Sequence, residues 1–278
     1  MMIQNVYVIG DIHGRFQPIR DFYQRNEEKI NHTGKFNKEN TLILLGDSGI
    51  NYYLNERDIR LKNKLKDYPF TYFVIRGNHE ERASNLALKN PEAWHTEEYW
   101  GGQVLVENDF PHIKYASDYL AVYKIPYWTG DYVNGEPEIK EYKTLTIPGA
   151  YSVDKDYRLM MGYAWFPDEQ LTEEEKEAGL ATLKENDYKC DLVLSHTCPC
   201  RFEPTDLFLP YIDQSIVDKS MEQYLGYIEF AIEYNCWMWG HYHAFRDYPR
   251  TDGKKKIMLY NKVVSLNQVM NEDTVGLL

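Results

Sequence analysis

The sequence predicts an α/β fold, and two patterns in its 278 residues are the basis of that prediction. Five short apolar stretches are predicted strands, because continuous apolar runs are typical of strands buried on both faces. Each of them ends directly in Asp, Asn or His. Charged segments with apolar residues at helical spacing separate the first three stretches, which indicates parallel β-α-β units. The five stretches cover residues 6–14, 41–47, 72–79, 191–196 and 236–243.

Local patterns predict the remaining elements. Amphipathic helices are expected at 15–31, 55–66, 80–89, 168–185 and 214–235, and Glu173-Glu174-Glu175 suits the positive end of a helix dipole. The segment at about 91–140 is rich in aromatic residues, Gly and Pro and carries no motif. Residues 149–158 are a predicted loop, and 257–260 close a hairpin at the sheet edge. Antiparallel strands of a second sheet are suggested at 103–106, 112–115, 119–124 and 141–147. We expect one domain over residues 1–278.

Composition and charge narrow the class of protein. The hydrophobic content of 43% and the charged content of 27% are those of an ordinary globular chain and exclude disorder. Forty-three acidic against 31 basic residues give a net charge of −12, which disfavours binding to nucleic acid or to an anionic membrane. No apolar run has the length of a membrane span, and no signal-peptide pattern precedes the first strand. We therefore expect a cytoplasmic protein.

The residues that end the five strands form a set of metal ligands. If the strands share one sheet edge, their carboxyl ends bring these side chains together. An Asp after a strand is by itself more often a helix N-cap, but the combined set offers enough oxygen and nitrogen atoms for two metal ions. Carboxylates and imidazoles suit Mn, Fe, Co, Ni or Zn, and such a pair is built for attack on phosphorus. The seven candidates are Asp11, His13, Asp47, Asn78, His196, His241 and His243.

Five motifs in this order carry a family resemblance. Asp11-Ile12-His13-Gly14, Gly46-Asp47, Gly77-Asn78-His79-Glu80, Ser195-His196 and Gly240-His241-Tyr242-His243 resemble the motifs of the calcineurin-like metallophosphoesterases. The resemblance spans residues 10–243 and points to a small member of bacterial type. It implies two mixed β-sheets packed as a sandwich and flanked by α-helices. It also implies a binuclear centre of two divalent or trivalent ions, such as Mn, Fe, Zn or Ni.

The resemblance also implies roles for the individual residues. One metal would be bound by Asp11, His13, Asp47 and His243, and the other by Asp47, Asn78, His196 and His241. His79 would protonate the leaving alkoxide as general acid or stabilise the transition state. The implied reaction is cleavage of a P–O bond in a phosphomonoester or small phosphodiester by a metal-held hydroxide.

One departure from the family pattern concerns the residues after the second motif. The protein Ser/Thr phosphatase branch carries an Asp and an Arg there, whereas Asp47 is followed by Ser48-Gly49-Ile50-Asn51. The usual carboxylate partner of His79 is therefore missing from that place. The stretch 149–155 with Arg158 looks similar to a loop in small bacterial members, which makes Arg158 a candidate cation for the substrate. Arg76, at a strand end, is expected to pair with a carboxylate.

Three alternatives remain at the sequence level. A Ser/Thr-type protein phosphatase or a nuclease would use the same motifs, although the net charge disfavours the nuclease. A catalytically silent scaffold would keep the fold without the reaction, but all the motif positions are filled. The physiological substrate, the native metals and the oligomeric state stay open.

Overall fold

A computed structural model of the protein describes residues 3–31 and 38–272. It has two mixed β-sheets with helices on their outer faces, as predicted. The strands are β1 (Ile3–Ile9), β2 (Lys38–Leu45), β3 (Thr71–Ile75), β4 (Trp94–Tyr99), β5 (Gly102–Glu107), β6 (Ile113–Tyr115), β7 (Ala121–Val133), β8 (Glu136–Ile147), β9 (Leu192–Ser195), β10 (Cys236–Trp239), β11 (Arg246–Asp247), β12 (Lys255–Met258) and β13 (Val264–Ser265). The α-helices are α1 (Gln17–Asn31), α2 (Glu56–Leu65), α3 (Ala83–Lys89), α4 (Lys155–Met161), α5 (Glu173–Glu185), α6 (Ser220–Ala231) and α7 (Leu266–Asn271).

The first sheet has the strand order β13-β1-β2-β3-β6-β5-β4. Its strands β1, β2, β3 and β6 are parallel, and antiparallel strands complete both edges. The second sheet has the order β11-β12-β10-β9-β8-β7, with β8, β9, β10 and β12 parallel. Parallel strands in one sheet end at the same edge, so each sheet collects its motif residues at one side.

The core lies between the two sheets and under the helices. Buried side chains of the first sheet, such as Val8 and Ile43, belong to the same apolar cluster as Leu194 and Met238 of the second. Each sheet is covered on its other face by helices. Trp237 is fully buried in the cluster beneath α5 and α6. Among the described residues, no helix has the length and apolarity needed to cross a membrane.

Two predicted strands are present, but their assignment to the second sheet was wrong. Residues 103–106 and 112–115 belong to the first sheet, where β6 pairs in parallel with β3. Ile113 and Tyr115 are buried and extend the apolar surface of β3, and a three-residue run cannot show in the sequence which sheet it joins. The 91–140 segment also holds more regular structure than predicted. β7 and β8 form one long hairpin around Asn134-Gly135, whose positive φ angles of 54° and 84° suit a tight two-residue turn.

Three predicted segments have different boundaries in the structure. The predicted loop at 149–158 contains the start of α4, which ends at Met161 and is capped by Gly162 in the left-handed conformation. The helix expected at 168–185 begins at Glu173, after a capping box formed by Thr172 and Glu175. The helix expected at 214–235 spans Ser220–Ala231. Before it, the side chains of Asp213 and Asp218 accept hydrogen bonds from backbone N–H groups two residues on, which competes with helix formation. The closing hairpin is present as β11 and β12 at the sheet edge.

Candidate metal centre

The seven predicted ligands lie at the carboxyl ends of strands from both sheets. The two sheets meet here, because the backbone N–H of His241 in the second sheet donates to Asp11 Oδ2 of the first at 2.7 Å. All seven side chains are thereby brought into one cluster. Asp11 and His13 follow β1, Asp47 follows β2 and Asn78 follows β3. In the second sheet, His196 follows β9, and His241 and His243 follow β10.

Asp47 is at the centre of this cluster. Its carboxylate oxygens lie 3.9 Å from His13 Nε2, 3.9 Å from His79 Nε2 and 3.7 Å from His196 Nε2. Burial alone would raise the pKa of Asp47, but the nearby imidazoles lower it by a larger amount. The pKa of Asp47 therefore falls below its usual range. Asp47 is therefore ionised at neutral pH. Its Oδ1 accepts from the backbone N–H of His79 at 2.9 Å, and each carboxylate oxygen keeps a lone pair for a cation.

The contact between His196 and Asn78 tests whether a metal ion suits the cluster. His196 Nδ1 lies 2.7 Å from the Leu45 carbonyl, which can only accept, so Nδ1 carries the proton. Burial lowers the pKa of His196, which leaves Nε2 with a lone pair. That lone pair faces Asn78 Oδ1 at 2.8 Å. Two acceptors at this distance repel each other unless a cation binds both, so the residues fit a metal ion.

The amide orientation of Asn78 is fixed by residues outside the motifs. Asn78 Nδ2 donates to Ser152 Oγ at 2.8 Å, and Ser152 in turn donates to Glu169. Because the hydroxyl proton of Ser152 is used on Glu169, its oxygen is left to accept from the amide. This relay directs Asn78 Oδ1 towards His196. Ser152 and Glu169 were not identified from the sequence, and no spacing or motif links either of them to Asn78.

A bound cation would also suit two further groups of candidate ligand atoms, those of Asp11 and those of His13 with His243. Asp11 Oδ1 is buried, and it has no hydrogen-bond partner among the described residues. Burial raises the pKa of Asp11 well above its usual value, with repulsion from Asp47 as the next cause. His13 Nε2 and His243 Nε2 lie 2.8 Å apart, and burial lowers the pKa of His243 to about 4. A neutral His243 has a lone pair on one ring nitrogen, and in the tautomer protonated at Nδ1 that nitrogen is Nε2, beside His13. With Asp11, these histidines form one compact group of possible ligand atoms.

The backbone of the ligand loops is strained. Four of the seven residues, namely His13, Asp47, His241 and His243, have positive φ angles between 45° and 68°. Such angles are uncommon outside glycine and cluster at functional sites. Glycine is required at Gly77, because a Cβ there would lie 2.1 Å from Asp47 Oδ1. The positive φ angles therefore cost local stability, and they belong to the loops that bring the candidate ligands together.

Glu80, the last residue of the third motif, connects two of these loops. Its buried carboxylate accepts from the backbone N–H of Gly49 at 2.9 Å and of Gly77 at 3.2 Å, and also from Ser48 Oγ. Burial raises the pKa of Glu80 to about 7. Glu80 therefore holds the loops after β2 and β3 in register.

His79 and Arg158 lie beside each other at the edge of the cluster. Arg158 Nη2 is 2.9 Å from His79 Nε2, and its Nε donates to both oxygens of Asp154 at 2.8 and 2.9 Å. A guanidinium can only donate, so His79 Nε2 accepts and the ring is neutral in this arrangement. Burial lowers the pKa of His79 more than Asp47 raises it. The side chain that contacts His79 Nε2 is therefore Arg158, which is bound to Asp154, in place of the carboxylate partner found in the protein Ser/Thr phosphatase branch.

Arg76 lies outside the cluster, as predicted. Its side chain is buried and forms an ion pair with Asp118, with Nε and Oδ1 3.4 Å apart. It also donates to the carbonyl of Glu169 at 2.9 Å. Arg76 therefore supports the segment that carries Glu169 and has no contact with the ligands.

The cluster opens into a cleft of about 460 Å³. The floor of the cleft at this end is formed by Asp47, Asn78, His79, His241 and His243. Its walls come from two irregular segments, residues 151–154 before α4 and residues 207–219 before α6. A substrate that reached the metal centre would lie between these walls.

Comparison with known proteins identifies the family of the chain. No curated protein matches the sequence. Among solved structures, the chain is similar to phosphopantetheinyl hydrolase (PptH) from Mycobacterium tuberculosis, with 15% identity, a TM-score of 0.43, and coverage of 93% of this chain and 90% of that one. It is also similar to a dimetal phosphatase from Danio rerio, with 12% identity, a TM-score of 0.48, and coverage of 95% and 93%. The sequence matches the calcineurin-like phosphoesterase family over residues 5–245, a range that includes all five motifs. The chain therefore belongs to the calcineurin-like phosphoesterase family and is a metal-dependent phosphoesterase.

Proposed function

We propose that the protein hydrolyses the P–O bond of a phosphomonoester or small phosphodiester at a binuclear centre. Asp11, His13, Asp47 and His243 would hold one metal ion. Asp47, Asn78, His196 and His241 would hold the other, so that Asp47 contacts both. Two bound ions would lower the pKa of a water molecule and neutralise charge on the phosphate oxygens. The facing lone pairs of His196 and Asn78 are the observation that carries this proposal.

The protein's own side chains have defined tasks in this reaction. Asp47 is buried and ionised and so supplies negative charge between the two ligand groups. The Ser152–Glu169 relay keeps Asn78 from rotating its amide, which would turn a donor towards His196. Glu80 keeps the two loops of the first sheet at a fixed separation. These contacts favour a site that is preorganised before substrate arrives.

His79 and Arg158 would act on the substrate itself. Arg158 is 14% exposed and at the mouth of the cluster, where a guanidinium can bind phosphate oxygens in a bidentate way. In doing so it would release His79 Nε2, which could then take up a proton from water and pass it to the leaving oxygen as general acid. Arg158 would thus bind the phosphate part of the ester, and His79 would act on the leaving alcohol.

A small ester is favoured over a protein or nucleic-acid substrate. A cleft of about 460 Å³ is within the range typical of small-molecule sites. Nucleases that take single strands need a basic groove, whereas this chain has a net charge of −12. These features rank a small phosphoester above the two alternatives from the same family.

The test is turnover by protein stripped with a chelator and reloaded with Mn, Fe, Ni or Zn. We expect hydrolysis of 4-nitrophenyl phosphate or bis(4-nitrophenyl) phosphate with at least one metal, and two equivalents of bound metal by elemental analysis. A phosphopeptide and single-stranded DNA are the comparison substrates. Turnover of DNA at the rate of the small esters would favour a nuclease. Protein that binds no metal would instead support a catalytically silent scaffold.

A further inference from the structure

The walls of the cleft are mainly apolar where they lie away from the metal ligands. Segment 207–219 contributes Leu207, Phe208, Leu209, Ile212 and Val217. On the opposite side are Tyr151 and Val153, and the ring of Tyr242 lies 6.4 Å from that of Phe208 in a stacked arrangement. Removal of such apolar surface from water by a bound ligand is favourable in free energy. The walls are continuous with the ligand floor, so one molecule can touch both.

The charged groups of the cleft are mostly acidic. Among the described residues that line it, Lys219 is the one Lys or Arg, and its Nζ is bound to Glu203 at 2.5 Å. The acids Asp154, Asp218 and Glu222 line the same walls. A second phosphate or carboxylate on the ligand would therefore meet no free cation along these walls, and would be repelled.

Glu222 is a buried carboxylate with spare bonding capacity. Its side chain is 3% exposed, and Thr197 donates to its Oε1 at 2.7 Å. Oε2 has no hydrogen-bond partner among the described residues. A buried acceptor without a partner is costly, and a donor on a bound ligand would remove that cost. Burial raises the pKa of Glu222 to about 7, which is consistent with a missing donor.

From this geometry we propose that the cleft is the binding site for the alcohol part of the ester. The proposal rests on the proposed function, because it takes the phosphate to lie on the metal ligands. The alcohol would be an apolar chain or ring that carries a hydrogen-bond donor, either cationic or neutral, at its far end. Phe208 and its neighbours would bind the apolar part, and Glu222 would bind the donor. Alcohols that carry a distal anion would be excluded.

The test is binding of alkylphosphonates, which cannot be hydrolysed, to the Mn-loaded protein by titration calorimetry. The series is ethyl-, butyl- and hexylphosphonate. Each buried CH₂ strengthens binding by up to about four-fold, so we expect Kd to fall at least ten-fold from ethyl to hexyl. A second pair, 6-aminohexylphosphonate and 5-carboxypentylphosphonate, differs in the sign of the distal charge. We expect the amine to bind at least about ten-fold tighter, the value of one charge-assisted hydrogen bond.

Matched variants identify the side chains responsible. Glu222→Gln should reduce the amine-to-carboxylate preference about ten-fold, whereas Glu229→Gln changes another buried glutamate of α6 outside the cleft and should keep it. Phe208→Ser should weaken the dependence on chain length. Its control is Phe230→Ser, because Phe230 is 90% exposed on α6 and does not line the cleft.

Parallel turnover of hexyl phosphate separates this proposal from the proposed function. Chain-length-dependent binding without turnover of any ester would support the alcohol site and contradict the phosphoesterase activity. Turnover accompanied by equal Kd values for ethyl- and hexylphosphonate would overturn the alcohol site alone. Equal Kd values without turnover would contradict both.

Discussion

The candidate metal centre and the cleft proposed to bind the alcohol are adjacent, but they are built in opposite ways. The centre is formed by polar side chains, most of them buried, on short loops directly after strands, and several of those residues have strained backbones. The cleft is formed by apolar side chains on the irregular segments 151–154 and 207–219, several of which are exposed, including Leu207 and Leu209. Changes in the centre should therefore affect chemistry and metal content. Changes in the cleft should affect which ester binds.

The largest expected effect comes from Asp47→Asn in the metal centre. The substitution removes the one carboxylate that lies close to His13, His79 and His196, and it places an amide donor or a neutral oxygen there. We expect activity to fall below detection and both metals to dissociate more readily, because Asp47 is proposed to contact both. Elemental analysis after dialysis against a weak chelator measures the metal content.

Asp58→Asn is the matched control for that change. Asp58 is also a buried aspartate, but it accepts from the backbone N–H groups of Tyr53 and Leu54 before α2. Its variant should lose some stability and keep both metals. If Asp47→Asn retained two tightly bound ions, the assignment of Asp47 as the shared ligand would be wrong.

The second prediction concerns His79, at the boundary between the two regions. His79→Ala should keep both metals and lower the turnover of alkyl phosphates by roughly 10²–10⁴-fold, the range for one proton-transfer group. A nitrophenyl ester should lose much less, because its leaving group scarcely needs a proton. Steady-state rates on the two esters give this ratio directly.

Arg158→Gln provides the contrast to His79. Arg158 is proposed to bind the phosphate, which is the same in both esters, so its loss should reduce both rates by a similar factor. Equal losses on good and poor leaving groups in His79→Ala would instead assign His79 to electrostatic stabilisation.

The same contrast explains how much could be predicted from the sequence. The clustering of the seven candidate ligands could be predicted because each follows a buried strand, and strand ends in a parallel sheet converge whatever the details of packing. Glu169 could not, because it is separated from Ser152 by 17 positions that include α4, and a contact of this kind leaves no periodic pattern in the sequence. Val217 was expected on a helix and lies in a loop of the cleft wall, since Asp213 and Asp218 bind the backbone around it. The sheet to which β6 belongs could not be predicted either, because it depends on which apolar sheet edge the three residues of β6 extend in the folded protein.

The smallest expected effect is on stability and concerns Glu222 in the cleft. Burial raises its pKa in the folded protein from 4.5 to about 7, so between these values the folded state binds more protons than the unfolded state. The cost of burying the ionised form is therefore small below pH 4.5, grows with pH and is complete above pH 7. Gln cannot ionise, and its amide oxygen can still accept from Thr197. The free energy of unfolding of Glu222→Gln, relative to the unmodified protein, should rise by about 2–3 kcal/mol between pH 5 and pH 8. Urea denaturation at the two pH values measures the difference. A difference that did not change with pH would mean that Glu222 titrates normally, and hence that a donor already satisfies it in the absence of substrate.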